Sequence, residues 1–537
     1  MTTFEAAPIA MARPMTYAET LRFGARRAPD AVALICGDER RTWRQLLDRS
    51  ARTAQALLAS GVRPQDRVAF VGRNCLEFFD LLYGASMVRA VPAGVNWRLA
   101  PDEMLAVVND TRAAVLVIER RFVAQLHRAH GRLEHVTSLV VIDGEDGRPA
   151  DGEEGSTTDT ETFEHWLAPH PSIDPDLPAA WDDIAMQTYT SGTTGRPKGA
   201  MHTVAAIAAS LANAEIMEIS ASSVALIATP VFHATATGAV AMVLGAGGRC
   251  VVARDANPDT LLPLIEQEGV TISVLVPTII KMLIDSPRFA DHDLASLRTL
   301  IYTAAPISRP LLERARAQLT HVHFIQAYGS TETLGATMLR HEDHLDHLGS
   351  AGTPMPGVRI RLVDPISGQA AAAGGIGEVW IDAPTNMAGY WHQPDDTARV
   401  MTSDGFIRTG DLGHFDGAHL VLHDRLNDMI ISGAENIFPT EVEQVLARHP
   451  LIDDVAVIGI PSEKWGETVL AFVVRRADAA SALDEDDVIA FARANLATYK
   501  CPSAVSFLDA LPRNASGKVL KTTLREPFWQ GHQRRIG

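Results

Sequence analysis

Tyr189-Thr190-Ser191-Gly192-Thr193-Thr194-Gly195-Arg196-Pro197-Lys198-Gly199 packs three glycines, four Ser/Thr hydroxyls and two cations into eleven residues. Such a loop can wrap a polyphosphate. Glycines let backbone N–H groups approach and point inward, hydroxyls add donors, and Lys198 adds a point charge. It is not a Walker A loop, because the G-x4-G-K-[ST] spacing is absent. A Gly/Ser/Thr stretch is as often a flexible linker, so its weight depends on what surrounds it.

The chain has 537 residues, more than one small core organises, so at least two domains are expected. Apolar residues make up 46% and charged residues 21%, ordinary values for a globular protein. No window of eighteen apolar residues predicts a transmembrane helix, and Glu5 interrupts any basic-then-apolar leader. Cys36, Cys75, Cys250 and Cys501 lie far apart, with neither metal-ligand nor disulfide spacing, which fits a cytoplasmic setting. Of the net charge of −17, most is local: thirteen acids face one base between Asp143 and Asp183. That Gly-, Ser- and Thr-rich segment reads as a solvated loop just before the phosphate loop. Without a basic stripe or interleaved aromatics, nucleic acid is not an expected partner.

Helix and strand patterns alternate through the first part. Thr42 to Ser60 reads as a helix, with capping-box spacing at Thr42 and Gln45 and a stop at Gly61. Apolar runs at Val68–Val71, Val115–Ile118, Leu139–Ile142 and Ser273–Val276 read as buried strands. This predicts an α/β fold: a large N-terminal domain of layered α/β subdomains with parallel sheets. From Met429 the alternation restarts, with helices near Pro439–Arg448 and Glu485–Ala497 and strands near Val455–Ile460 and Leu470–Arg475. That predicts a small mobile α+β domain of about one hundred residues. The expected division is 1–424, a hinge at 425–428, and 429–537.

With four further motifs in fixed order, the phosphate loop resembles that of the adenylate-forming superfamily: acyl-CoA synthetases, luciferases and peptide-synthetase adenylation domains. Among its members the chain looks most like a fatty-acyl-CoA or related acid–CoA ligase. The resemblance spans nearly the whole length. It implies that Thr190, Ser191, Gly192, Thr193, Thr194, Gly195 and Lys198 hold phosphate, with Thr194 also among the catalytic groups. Ala228-Thr229-Pro230-Val231-Phe232-His233-Ala234 looks like the motif bordering the acyl pocket, so His233, Ala234 and Gly238 are its expected lining. Thr303-Ala304-Ala305-Pro306 resembles the turn against adenine, with Ala304 where glycine is commoner. In Gln326-Ala327-Tyr328-Gly329-Ser330-Thr331-Glu332-Thr333 the resemblance implies that Tyr328 stacks on adenine beside Gly329. Thr331 would bond the α-phosphate and Glu332 would bind Mg²⁺. A planar ring suits a purine, and a carboxylate is the usual protein ligand for phosphate-bridging Mg²⁺.

Asp411, in Arg408-Thr409-Gly410-Asp411-Leu412-Gly413, and Arg425 would reach the ribose. Asn427 falls at the hinge position, where the family carries Asp or Lys, and Asn tolerates the φ/ψ changes a hinge needs. Gly433 would line the pantetheine tunnel, with Ala434 replacing a second glycine. Leu511-Pro512-Arg513-Asn514-Ala515-Ser516-Gly517-Lys518-Val519 carries the family's catalytic lysine, Lys518. A mobile ammonium there would relieve repulsion between carboxylate and α-phosphate and stabilise the transition state.

His341, His344 and His347 lie three apart among Glu342, Asp343 and Asp346. Six residues on a helix drift off one face, so a solvated helix is expected rather than a metal site.

The resemblance therefore implies an acid–thiol ligase that uses ATP, Mg²⁺ and CoA. Its partners would be those and a small-molecule carboxylic acid, with a homo-oligomer left open. Two rival readings are an enzyme loading a free-standing carrier protein and a nucleotide-binding regulator without catalysis. Retention of both Glu332 and Lys518 argues against the regulator. The chain runs nineteen residues past Lys518, so no fused carrier domain is expected. The small residues from Ala234 to Ala239 predict a roomy, uncharged acyl pocket suited to a medium or long fatty acid or a bulky ring-bearing acid.

Overall fold

The computed structural model describes residues 3–5, 15–129, 131–143, 161–190, 197–432, 435–476, 483–514 and 517–530. Most of the phosphate loop (191–196) lies outside them, with the acidic stretch 144–160, Gly433, Ala434, Ala515 and Ser516.

Two large sheets carry the first four hundred residues or so. In one, Arg67–Val71 sits between Val91–Val95 and Val115–Glu119, all parallel, and Ser138–Ile142 continues the same direction. Ile184–Thr190 joins parallel to Val91–Val95, and Lys198–Thr203 returns antiparallel to it. The apolar runs are buried on both faces; every residue of Arg67–Val71 is buried. Continuous rather than alternating hydrophobicity is what a helix-covered parallel sheet requires. The second large sheet runs parallel through Val32–Cys36, Arg249–Val252, Val224–Ile227, Ile272–Leu275, Thr299–Tyr302 and His323–Tyr328. An antiparallel sheet of Arg359–Val363, Gly377–Asp382, Ile407–Asp416 and His419–Arg425 follows. Beyond it, Ile430–Ser432, Glu435–Ile437, Ile452–Ser462, Gly466–Arg475 and Ala504–Leu508 form a separate sheet with its own core.

The expected helix is Trp43–Ala59, with Thr42 as N-cap and both capping-box hydrogen bonds present. The strand expected at Ser273–Val276 is Ile272–Leu275, because Val276 turns out to N-cap the helix that Pro277 opens. Helix Glu485–Asn495 ends where Leu496 becomes extended.

The His341–His347 expectation needs correction. Only Glu342–His344 is helical, a single 3₁₀ turn, and His344 is buried rather than solvated. Its two ring nitrogens face Tyr302 Oη at 2.9 Å and the Arg340 carbonyl at 2.7 Å. His341 accepts from the Phe324 amide, and His347 stacks on His419 at 3.6 Å. These rings serve packing, and among the described residues no group of three His, Cys, Asp or Glu side chains could hold a metal. The four cysteines are buried and unpaired.

Candidate active site

Three of the motifs lie on one side because they follow parallel strands of one sheet. Val224–Ile227 leads to Thr229–His233, Thr299–Tyr302 to Thr303–Pro306, and His323–Tyr328 to Gly329–Glu332. Ligands of open α/β sheets bind outside such carboxyl ends. Gly329 is required by space: a Cβ there would run into the Leu334 carbonyl. Ala304 sits at φ +71° on the exposed turn, a left-handed conformation that its methyl group strains. Ala305 is half-buried and Pro306 exposed beside it.

At the expected ribose end, Tyr328 Oη donates to Asp411 Oδ2 at 2.7 Å. Arg425 Nε lies 3.2 Å from Asp411 Oδ1, the two residues being register partners across the hairpin. Burial, reinforced by the Asp411 carboxylate, pushes the Tyr328 phenol well up, so it remains a donor. Lys518 follows Gly517, which takes φ +78°, and its backbone N–H donates to Asn514 Oδ1 at 2.8 Å. Burial and then the Arg425 charge lower Lys518 to about 8, opposed by Asp411 and Asp428. Lys518 is half-buried, and the Asp411 and Arg425 charges act on it. Thr278, just beyond Ile272–Leu275, donates to the Gly517 carbonyl at 3.4 Å.

At the expected phosphate end, Thr190 and Lys198 pair across the antiparallel strands that flank the loop. Ser191, Gly192, Thr193, Thr194 and Gly195 lie outside the described residues. Lys198 Nζ is 3.1 Å from Asp396 Oδ1 and 5.4 Å from the Tyr390 ring centroid. Tyr390 Oη donates to Glu332 Oε1 at 2.7 Å, and the Met387 amide donates to the Glu332 carbonyl at 2.8 Å. Half-buried Thr331 is held from behind: the buried His202, lowered to about 4 by desolvation, donates from Nε2 to its carbonyl at 2.8 Å. Glu332 Oε2 takes no hydrogen bond among the described residues, which leaves one carboxylate oxygen open to a ligand. That fits Mg²⁺, which binds through one or two carboxylates plus substrate phosphates.

At the expected acyl end, His233 caps the helix Ala234–Ala246. Desolvation, then the charge of Arg98, lowers it to about 4, so the imidazole is neutral. Its Nε2 is buried and has no hydrogen-bond partner among the described residues. Ala234, Thr235 and Gly238 lie on the less buried helix face, and a Cβ at Gly238 would meet nothing within 4 Å. Ala236, Thr237 and Ala239 instead pack into the core. The small run therefore serves two faces, and only one of them adjoins open space.

Asn427 is exposed in the turn after Arg425. Sequence reasoning missed Tyr390, Asp396, His202 and Arg98. The first two stand in Gly389-Tyr390-Trp391-His392-Gln393-Pro394-Asp395-Asp396, whose order carries no phosphate-loop signal of its own. No helix among the described residues is long and apolar enough to cross a membrane.

Residues 21–391 match the family described as AMP-binding enzyme, and residues 441–518 match the AMP-binding enzyme C-terminal domain. A feruloyl-CoA synthase from Amycolatopsis sp is 37% identical over 511 residues, covering 94% of this chain and 97% of that protein. The fatty acid–[acyl-carrier-protein] ligase ScoC from Streptomyces coeruleorubidus is 34% identical, covering 97% of this chain and 98% of ScoC. The crystal structure of ATP-bound MatB from Rhodopseudomonas palustris superposes with a TM-score of 0.85 at 27% identity, covering 97% of this chain and all of MatB. The match to the family over most of its length, together with these relatives, makes this chain a member of the AMP-binding enzymes.

Proposed function

We propose that the protein is an acyl-CoA synthetase that activates a hydrophobic, and foremost a ring-bearing, carboxylic acid. As an AMP-forming acid–thiol ligase it uses ATP, Mg²⁺ and CoA. A carboxylate oxygen attacks the α-phosphorus, the bond to the β-phosphate oxygen breaks and pyrophosphate leaves. The CoA thiolate then attacks the acyl carbon and AMP departs. In our reading, residues 1–424 hold ATP and the acid, Asn427 is the hinge within 425–428, and 429–537 present Lys518 first and the Gly433 loop second. Thr190, the loop to Gly195, Lys198 and Thr331 take the phosphates, with Thr194 among the catalytic groups. Asp411 and Arg425 take the ribose, and Tyr328 with Ala304, Ala305 and Pro306 takes the adenine. Glu332 would hold Mg²⁺, which would supply charge neutralisation at the phosphates.

The observation that carries this reading is the half-buried Lys518, on which the Asp411 and Arg425 charges act. A cation taken out of water at that cost serves where two anions must meet. The preference for a ring-bearing acid rests on the neutral His233, the open face at Ala234 and Gly238, and the similarity to feruloyl-CoA synthase. Pyrophosphate release with a panel of cinnamic, aryl, alicyclic and fatty acids tests it. Highest kcat/KM for a ring-bearing acid is expected, whereas preference for acetate or malonate overturns the assignment of the acid. No pyrophosphate with any acid would favour the non-catalytic regulator. Similarity to ScoC supports a second acceptor, a free carrier protein. Supplying CoA and a holo-acyl-carrier protein side by side separates the two.

A further inference from the structure

The two charged groups assigned to ATP and its metal belong to different sheets, and one side chain spans them. Lys198 opens the strand Lys198–Thr203, whereas Glu332 follows His323–Tyr328 in the other large sheet. The two-residue strand Gly389–Tyr390 pairs with Lys198–Thr203, placing Tyr390 opposite Ala200. The Trp391 amide donates to the Gly199 carbonyl and the Ala388 amide to the Met201 carbonyl, both at 2.8 Å, which fixes Tyr390 on the lysine's strand. From there its hydroxyl donates to Glu332 Oε1 at 2.7 Å, while its ring lies 5.4 Å from Lys198 Nζ. The same segment grips the acidic loop through Met387 N–H to the Glu332 carbonyl at 2.8 Å and Thr385 Oγ1 to the Thr333 carbonyl at 2.7 Å.

We propose that Tyr390 is a positioning residue for metal binding: its hydroxyl fixes one Glu332 oxygen and thereby aims the other at Mg²⁺ beside the phosphates that Lys198 meets. A carboxylate ligand turns freely about its last bond unless a second group holds it. Hydrogen bonds to ligating groups commonly set metal affinity by about 10- to 100-fold. The inference rests on the assignment of Glu332 to Mg²⁺, and the test keeps the two apart.

Tyr390→Phe removes one oxygen and keeps the ring against Lys198. ATP binding is measured by titration calorimetry in EDTA and across a series of Mg²⁺ concentrations, for wild type, Tyr390→Phe and Glu332→Gln. A Mn²⁺ titration of the ATP complex followed by electron paramagnetic resonance supplies a readout independent of turnover. The expected result is unchanged ATP affinity in EDTA, with the Mg²⁺ and Mn²⁺ half-saturation points of Tyr390→Phe raised about tenfold. Glu332→Gln should raise them further. If Glu332→Gln shifts the metal dependence and Tyr390→Phe does not, the positioning role is overturned and the Glu332 assignment stands. If neither shifts it, both fall. A Tyr390→Phe protein that only melts earlier, with wild-type metal dependence, has lost packing and also overturns the proposal.

Discussion

In the proposed function, Lys518 concentrates the chemistry in one atom. Removing its ammonium deletes a charge that acts mainly in the first transition state, so Lys518→Ala should slow adenylation by about 10²-fold or more. Thioester formation from supplied acyl-AMP should remain largely intact; equal losses in both half-reactions would contradict the two-role assignment. The ammonium is the active form. Because burial lowers Lys518 to about 8, kcat/KM for adenylation should hold below that pH and fall as pH rises through it. A profile flat to pH 10 would place the catalytic cation elsewhere. Lys518, Glu332 and Asp411 were legible as candidates because each sits in a short stretch whose order is distinctive. Tyr390, Asp396 and Arg98 were not. Their meaning lies in a partner tens to hundreds of positions away, as with Tyr390 and Glu332 or Arg98 and His233. Ala304 was legible only as a departure, and its left-handed φ required the backbone itself.

At the scale of elements, the helix Ala234–Ala246 shows what a pattern of small residues conceals. The sequence reads all six positions from Ala234 to Ala239 as pocket, but the helical period turns half of them inward. Gly238→Trp should project into open space and shift the kcat/KM ratio from long or bulky acids toward short ones, with ATP binding preserved. Ala236→Trp should instead overpack a fully buried site, costing about 1–3 kcal/mol or more and lowering the melting temperature. An unchanged acid ratio for Gly238→Trp would remove this helix from the acyl site. Elsewhere, buried runs and the Thr42–Gln45 capping box fixed the elements well, since both depend on local spacing. The His341–His347 segment misled because period alone cannot tell a solvated helix from a turn pinned by one buried imidazole.

At the scale of the molecule, the C-terminal part meets the large part through Thr440, whose N–H and hydroxyl donate to Asp424 Oδ2 at 2.8 and 3.0 Å, and through contacts farther from the junction. Lys281 Nζ pairs with Asp453 at 2.9 Å, and Thr278 touches the Gly517 carbonyl. An exposed ion pair is worth at most about 1 kcal/mol. Lys281→Ala should therefore slow adenylation no more than about fivefold, by an amount that shrinks in high salt, and leave thioesterification untouched. Assaying both half-reactions at low and high salt checks this, and a loss confined to the second half-reaction would reverse the assignment. The parallel-sheet architecture was readable from the alternation of runs. The packing of one unit on the other was not, because pairs such as Lys281 and Asp453 lie far apart in the chain.

Asp411 never waits bare for its ligand: Tyr328 and Arg425 already occupy its two oxygens. Each oxygen keeps a further lone pair with which it can accept from a nucleotide hydroxyl without giving up its partner. A sugar lacking its 2′-hydroxyl leaves no orphaned carboxylate oxygen, since each keeps its resident partner. The severe rejection seen where a missing hydroxyl strands a buried polar group should not arise. The enzyme should accept 2′-deoxy-ATP with only about a tenfold lower kcat/KM than ATP in pyrophosphate release. A penalty of thousands would mean that Tyr328 and Arg425 turn away once the sugar arrives. Tolerance of the deoxy sugar would leave recognition of the ribonucleotide to its relative abundance in the cell.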